Sequence, residues 1–397
     1  MTVYDAIVVG LGVMGSAAAY HLSRRGQHVL GLDAFAPGHT NGSSHGESRM
    51  TRLAYYEHPS YLPLIRRAYD LWAELQAEAR TELLRLTGGV FIGRPTGEMV
   101  ACSIATARLE GLDHEVLDAA AIRRRYPVFR PDDDEIALFD PRAGILHADR
   151  CVAAQRRLAT EHGATLRDEA PIRSWAATED EVEVRTDAGR FEAARLVITA
   201  GPWLGTVLMD LALPLKVERI PVFYWEPRDS VDWFALGRLP VYMWDRGGAG
   251  IFYGFPQLAQ TGVKAGRHHN DDWCDPETVD RVVNHRDERM VRDFLARHIP
   301  ALDGPLHDRF VCLYTVTPDQ HFVIDRHPRF PQVVYAGGFS GHGFKFGPVV
   351  GELLVDLALT ERTDPAASFL RADRFGVATA VGEATTPESE IPVACSP

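Results

Sequence analysis

Three clusters hold the side chains best suited to chemistry. The first is His45-Gly46-Glu47-Ser48-Arg49-Met50-Thr51-Arg52, and the second is Tyr253-Gly254-Phe255-Pro256 followed by Lys264 and His268. The third joins Cys312-Leu313-Tyr314-Thr315 to Gly341-His342-Gly343-Phe344-Lys345-Phe346. Their density of His, Arg and Lys exceeds what a solvated face needs. Only three of the 42 basic residues are lysine: Lys216, Lys264 and Lys345. Lysine is a point charge that can lose its proton when buried, whereas arginine is a planar fork that stays charged, so the two are not interchangeable at a chemical site. Where lysine survives in an arginine-written sequence, a compact ammonium is called for. Two of the three fall inside the motifs above, with chance placement in loops as the competing reading.

The elements that would position these groups begin at the N-terminus. Ala6 to Val9 reads as a buried strand, Val13 to Arg25 as a helix and His28 to Leu32 as a second strand, a βαβ unit. Its first turn is Gly10-Leu11-Gly12-Val13-Met14-Gly15, and Asp33 closes the second strand. Gly10 permits the tight turn, Gly12 lets backbone approach a pyrophosphate, Gly15 allows close helix-to-strand packing, and the helix N-terminus favours negative charge. Asp33 would accept from a ribose hydroxyl. The whole unit predicts a dinucleotide-binding fold, against the plainer reading of a glycine-rich turn.

Later stretches carry more of such a fold: a helix over 149–162, a hairpin over 181–191, a strand over 195–200, and the strand 333–336 entering a glycine turn before a helix over 348–359. A helix over 60–80 reads as plain core, and Asp245-Arg246 as a turn. Regions 82–143 and 216–310 are richer in short alternating runs and aromatics. The expected architecture is α/β, with a discontinuous Rossmann-like dinucleotide domain (1–81, 144–215 and 311–375), an inserted α+β substrate domain on an antiparallel sheet (82–143 and 216–310), and a tail (376–397).

Composition bounds the function. With 397 residues, 46% apolar and 24% charged, the chain is globular and of two-domain length. A net charge of -12 offers no field for a phosphate backbone, which argues against nucleic acid. Five cysteines without a CxxC pair fit a reducing compartment without structural zinc. Residues 1–5 carry no basic n-region and no apolar run reaches the length of a membrane span, so a cytoplasmic protein is expected.

The run His39 to Arg49, the Tyr253 to Pro256 segment, Cys312 to Thr315 and Gly338 to Phe346 resemble the monomeric sarcosine oxidase and N-methyltryptophan oxidase family over about residues 3–375. The resemblance implies an FAD-containing amine oxidase of glutathione-reductase-like fold that takes a secondary amino acid and O2, acts as a monomer, and carries flavin attached through a cysteine sulfur, here Cys312. It implies that Arg52 and Lys345 clamp the substrate carboxylate, and that Met243, Tyr253 and His268 line the pocket. Lys264 would promote the reaction with oxygen, and His45 and Arg49 would lie against the flavin face opposite the substrate. The implied cofactor contacts are Gly10, Gly12, Val13, Met14, Gly15, Asp33, Ser43, Ser44, Arg49, Cys312, Gly341, Gly343, Phe344 and Lys345.

Bland roles compete with these. Cys312 could be an ordinary buried thiol, Arg52 could pair structurally with Glu57, and His45 and His268 could be satisfied polar residues. The sequence also departs from the family pattern: Ser44 and Leu53 stand where histidines are common, and Tyr56 to Ser60 replaces a glycine-rich lid, with Pro59 stiffening the loop. The rival functions are an FAD dehydrogenase with another electron acceptor, a nicotinamide-dependent reductase, which gives Cys312 no role, and a non-catalytic flavin-binding protein.

Overall fold

A computed structural model describes residues 4–258, 262–360, 362 and 364–376. Apart from Gly376, the expected tail lies outside the described residues.

Five strands run parallel in the order Thr165–Arg167, Val29–Leu32, Tyr4–Val9, Gly189–Ile198 and Val333–Gly337. Val323–Arg326 and the hairpin Ile172–Ala177/Val182–Thr186 add antiparallel edges, making an eight-stranded sheet. The central strands are buried along most of their length, as their Val- and Ile-rich sequences require. The helix Val13–Arg24 packs against Gly347–Thr360 and Ala148–Glu161. Its alanine run permits the approach: a Cβ on Gly351 would come within 2.6 Å of the Ala17 Cβ.

The N-terminal turn is built as its glycines suggest. Gly10 has φ +84°, and a Cβ there would meet the Thr199 carbonyl oxygen at 2.5 Å. A Cβ on Gly15 would fall 1.8 Å from the Gly10 oxygen. Gly15→Ala therefore forces the helix off the strand. It should cost about 1–3 kcal/mol by overpacking, visible as a lowered unfolding midpoint.

A second, nine-stranded sheet runs through Lys216–Trp225, Val263–His268, Ile251–Gly254, Val241–Asp245, Gly89–Gly93, Ile136–Asp140 and Glu115–Asp118, with Trp273–Cys274 and Leu306–Val316 also on Lys216–Trp225. Two expectations are corrected here. The sheet is not wholly antiparallel, because Gly89–Gly93 and Val241–Asp245, far apart in sequence, pair in parallel. The boundary drawn at 311 also cuts a strand: Leu306–Val316 pairs with Lys216–Trp225 over its whole length, so Cys312 lies on the second sheet. A three-stranded sheet of Arg49–Thr51, Gly144–Leu146 and Leu84–Leu86 carries the first chemical cluster. Arg246 does more than close a turn, since it pairs with Asp132 and with buried Glu135. No helix among the described residues is long and apolar enough to cross a membrane.

Candidate active site

The three clusters meet around one cavity, lined by side chains from all three of them. One wall is the face of the nine-stranded sheet, and strand periodicity selects the residues on it. Ile220 and Val222 come from one strand, Lys264 and His268 from another, and Cys312 and Tyr314 from a third. Across the sheet, Met243 pairs with Tyr253 and Tyr253 with Gly266. A Cβ on Gly266 would stand 2.9 Å from the Tyr253 hydroxyl, so glycine there leaves room for the phenol between Lys264 and His268.

The facing wall comes from segment 48–57 and the turn 341–345. Gly341 has φ +79°, and a side chain there would collide with the Tyr314 ring. Trp72, on the helix Leu62–Ala79, donates to the Lys345 carbonyl at 2.8 Å and stacks on Phe344. That helix is thus more than the plain core expected of it: it holds the turn from behind.

The cations fall into two groups. In the first, Arg49 donates to the carbonyls of Ser43 (2.9 Å), His45 (2.7 Å) and Ser48 (2.9 Å), and its Nη2 lies 3.8 Å from the Cys312 sulfur. Lys264 donates to the same Ser48 carbonyl at 2.9 Å and lies near the Phe255 and Tyr224 rings. Burial, reinforced by Arg49, pulls the Lys264 ammonium well below its ordinary pKa. Burial, again with Arg49, takes His45 down to about 3.

In the second group, Arg52 is forked onto Glu57 at 2.5 and 3.0 Å, with the Tyr55 and Tyr56 rings against its guanidinium. The ion pair weighed as the alternative for Arg52 is therefore formed, and a ligand carboxylate has to compete with Glu57 for it. Burial works against both charges, yet each partner stabilises the other: Arg52 is held above its ordinary pKa and Glu57 falls to about 2. Lys345 donates to the His342 carbonyl at 2.6 Å. Burial, with help from Arg52, lowers it to about 7. Burial and the neighbouring His269 keep His268 well below the usual histidine range; its Nδ1 lies 3.4 Å from the Tyr314 hydroxyl.

A continuous chain of contacts joins this cavity to the N-terminal turn. The Ser44 hydroxyl accepts from Val13 N at 3.1 Å, the Ser43 hydroxyl donates to the Leu313 carbonyl at 2.6 Å, and the Ser43 carbonyl is held by Arg49. Asp33 accepts from Leu11 N at 2.7 Å and from Phe35 N at 3.0 Å, with His39 beside it at 3.6 Å. An extended dinucleotide fits this arrangement. The glycine cradle has no room for Cβ atoms, and His45 Nε2 and Ser48 Oγ are buried with no partner among the described residues, which such groups rarely tolerate without a ligand or water.

Of the residues singled out from sequence, Arg49, Arg52, Met243, Tyr253, Lys264, His268, Cys312, Gly341, Phe344 and Lys345 line the cavity. Gly10, Gly12, Val13, Met14, Gly15, Asp33 and Ser44 gather at the N-terminal turn, while His45, Ser43 and Gly343 stand behind the cavity wall. Sequence reasoning missed Ile220, Val222, Phe255 and Tyr314 as lining groups. Period-two spacing from Tyr253 and Cys312 would have found the last two. It also missed Asp140, whose buried carboxylate accepts from Leu53 N and Ala54 N and so pins the segment after Arg52; nothing in its local sequence signals that role.

Residues 5–357 match the family of FAD dependent oxidoreductases (DAO). The chain is 45% identical over 363 residues to a monomeric sarcosine oxidase of Streptomyces avermitilis, covering 91% of this chain and 94% of the relative. It is 32% identical to an N-methyl-L-tryptophan oxidase of Salmonella arizonae, covering 94% and 99%. Among solved structures it resembles NikD, an amino acid oxidase essential for nikkomycin biosynthesis, with TM-score 0.83 and 24% identity over 97% of this chain and 100% of that one, a likeness of fold.

Proposed function

The chain belongs to the FAD-dependent oxidoreductase family, in the group of the monomeric sarcosine oxidases and N-methyltryptophan oxidases, and from that premise we propose that it is a flavin-dependent oxidase of secondary amino acids. Sarcosine, other N-methyl amino acids and cyclic imino acids share the required chemistry, an N-substituted amine next to a carbon bearing a carboxylate. The observation that carries the reading is the meeting of two buried cation groups, Arg49 with Lys264 and Arg52 with Lys345, on one aromatic-walled cavity that Cys312 also lines. FAD, when bound there, would supply the acceptor for a hydride equivalent from the carbon beside nitrogen, with O2 as the final two-electron acceptor; the products would be H2O2 and an imine that water hydrolyses.

The chain's own residues do the rest. Arg52, as the substrate carboxylate displaces Glu57 from its fork, and Lys345, as a point charge, bind the carboxylate. The rings of Tyr253, Phe255 and Tyr314, with Met243, exclude water and cage the amine, whose cationic form aromatic faces stabilise. Buried His268 stays neutral and adds no repelling charge. Arg49 fixes the backbone around Ser43 and His45, and Cys312 is the proposed point of flavin attachment. Gly10 to Gly15 and Asp33 would hold the nucleotide part, in a domain of glutathione-reductase type, and Gly341, Gly343, Phe344 and Lys345 the ring. The wider proposal is a monomeric cytoplasmic enzyme, consistent with the name of its Streptomyces relative and with the sparse cysteines. Oxygen uptake and peroxide formation with a panel of secondary amino acids test the function, and no uptake with any of them would sink it.

The carboxylate site also has a pH signature. Methoxyacetate, in which an ether oxygen replaces the amine of sarcosine, isolates carboxylate binding from amine ionisation. The ammonium of Lys345 is present below its pKa of about 7 and lost above it. Methoxyacetate affinity should therefore be flat below pH 7 and weaken as pH rises beyond, by roughly ten- to a hundredfold, the worth of a charge-assisted hydrogen bond. In Lys345→Met the affinity should be uniformly low and pH-independent. Calorimetric titration of the holoenzyme measures both.

A further inference from the structure

The histidine inside the glycine turn has no part in the chemistry above, yet it is buried with both ring nitrogens engaged. Its Nε2 lies 3.0 Å from the Gln320 carbonyl, and its Nδ1 makes a short hydrogen bond with the Tyr55 hydroxyl. A carbonyl oxygen only accepts, so Nε2 carries the ring proton. In the neutral imidazole Nδ1 then accepts, and the phenol of Tyr55 donates. Burial, partly offset by Glu57, takes His342 down to about 3, which keeps it neutral at ordinary pH. The acceptor on its far side is fixed as well, because Gln320 ends a turn in which its N–H bonds to the Thr317 carbonyl at 3.1 Å.

The Tyr55 ring held in this way faces two cations at once. Arg52 Cζ is 4.5 Å and Lys345 Nζ 5.1 Å from its centroid. Tyr61 and Phe346 pack against it, with ring centroids 5.3 and 5.6 Å away. Lys345 in turn bonds to the carbonyl of His342, so the histidine contacts the ammonium through its backbone and the tyrosine through its ring. Tyr55 and His342 belong to segments 287 residues apart, one carrying Arg52 and the other Lys345.

We infer that Tyr55 and His342 form a positioning pair: by accepting the Tyr55 hydroxyl, His342 fixes the ring on which Arg52 and Lys345 are set, and the pair thereby tunes affinity for the substrate carboxylate. The inference rests on the carboxylate-binding role proposed for those two cations. Tyr55→Phe keeps the ring and removes only the hydroxyl. It should weaken methoxyacetate binding to the holoenzyme about tenfold, the upper range for one hydrogen bond. In turnover the KM for sarcosine should rise by the same factor while kcat holds. His342→Leu should do the same, and the double variant should be no weaker than either single one, since both remove one interaction. His342→Asn, whose Oδ1 can accept where Nδ1 did, should recover most of the affinity. An unchanged Tyr55→Phe, or losses that multiply in the double variant, overturns the pair. If the unaltered enzyme binds no methoxyacetate and oxidises no sarcosine, the carboxylate role itself falls, a failure distinct from a variant that binds as well as the parent.

Discussion

Cys312→Ser is expected to fold but to release all of its flavin on acid denaturation, where the unaltered chain is expected to keep one flavin per polypeptide. The change is nearly isosteric and sits mid-strand opposite Ile220, so the sheet survives it. What it removes is a sulfur nucleophile, which a serine hydroxyl does not replace without a dedicated base. Among the described residues, Cys312 is the cysteine that lines the cavity. Cys102 and Cys151 are buried in helices, and burial pushes the Cys151 thiol far up, away from the reactive thiolate. Cys274 lies on a separate short strand, also raised by burial. Intact mass with peptide mapping reads the result directly. Flavin that stays attached to Cys312→Ser would place the link on another residue and withdraw the role of Cys312.

Much of this was legible in the sequence because its signals are local. The N-terminal unit shows itself in one stretch of about thirty residues, since a backbone that must turn tightly and pack closely can do so only with glycine at Gly10 and Gly15. Lysine rarity was equally informative: Lys264 and Lys345 are buried in the cavity wall, while Lys216 is exposed at a strand start. What stayed hidden depends on pairings between distant segments. The parallel pairing of Gly89–Gly93 with Val241–Asp245 has no local signature, and neither does the support that Trp72 gives Lys345 from a helix that reads as ordinary core. Arg52 shows the limit from the other side. Both partners open to it were visible, yet the choice of Glu57 reflects how Asp140 pins the intervening backbone, a contact 87 residues long in sequence.

Lys264→Met should slow the reaction of the reduced enzyme with O2 by roughly 10²- to 10³-fold, the range found when one preorganised electrostatic contact to a developing charge is removed. Reduction by substrate should be nearly unchanged. Methionine matches the length and bulk of lysine, so the packing against Tyr224 and Phe255 persists and only the charge is lost. The asymmetry follows from where Lys264 lies. It belongs to the Arg49 and Cys312 group rather than to the Arg52 and Lys345 group proposed to bind the carboxylate, and its Nζ is tied to the Ser48 carbonyl. Burial and Arg49 disfavour its charge, and a negative charge developing in the cavity would favour the ammonium. Stopped-flow spectrophotometry separates the two half-reactions. If oxygen reacts slowly with the unaltered enzyme and equally slowly with Lys264→Met, then O2 is not its acceptor and the chain is a dehydrogenase, in which a buried lysine at this position has only the wall to hold.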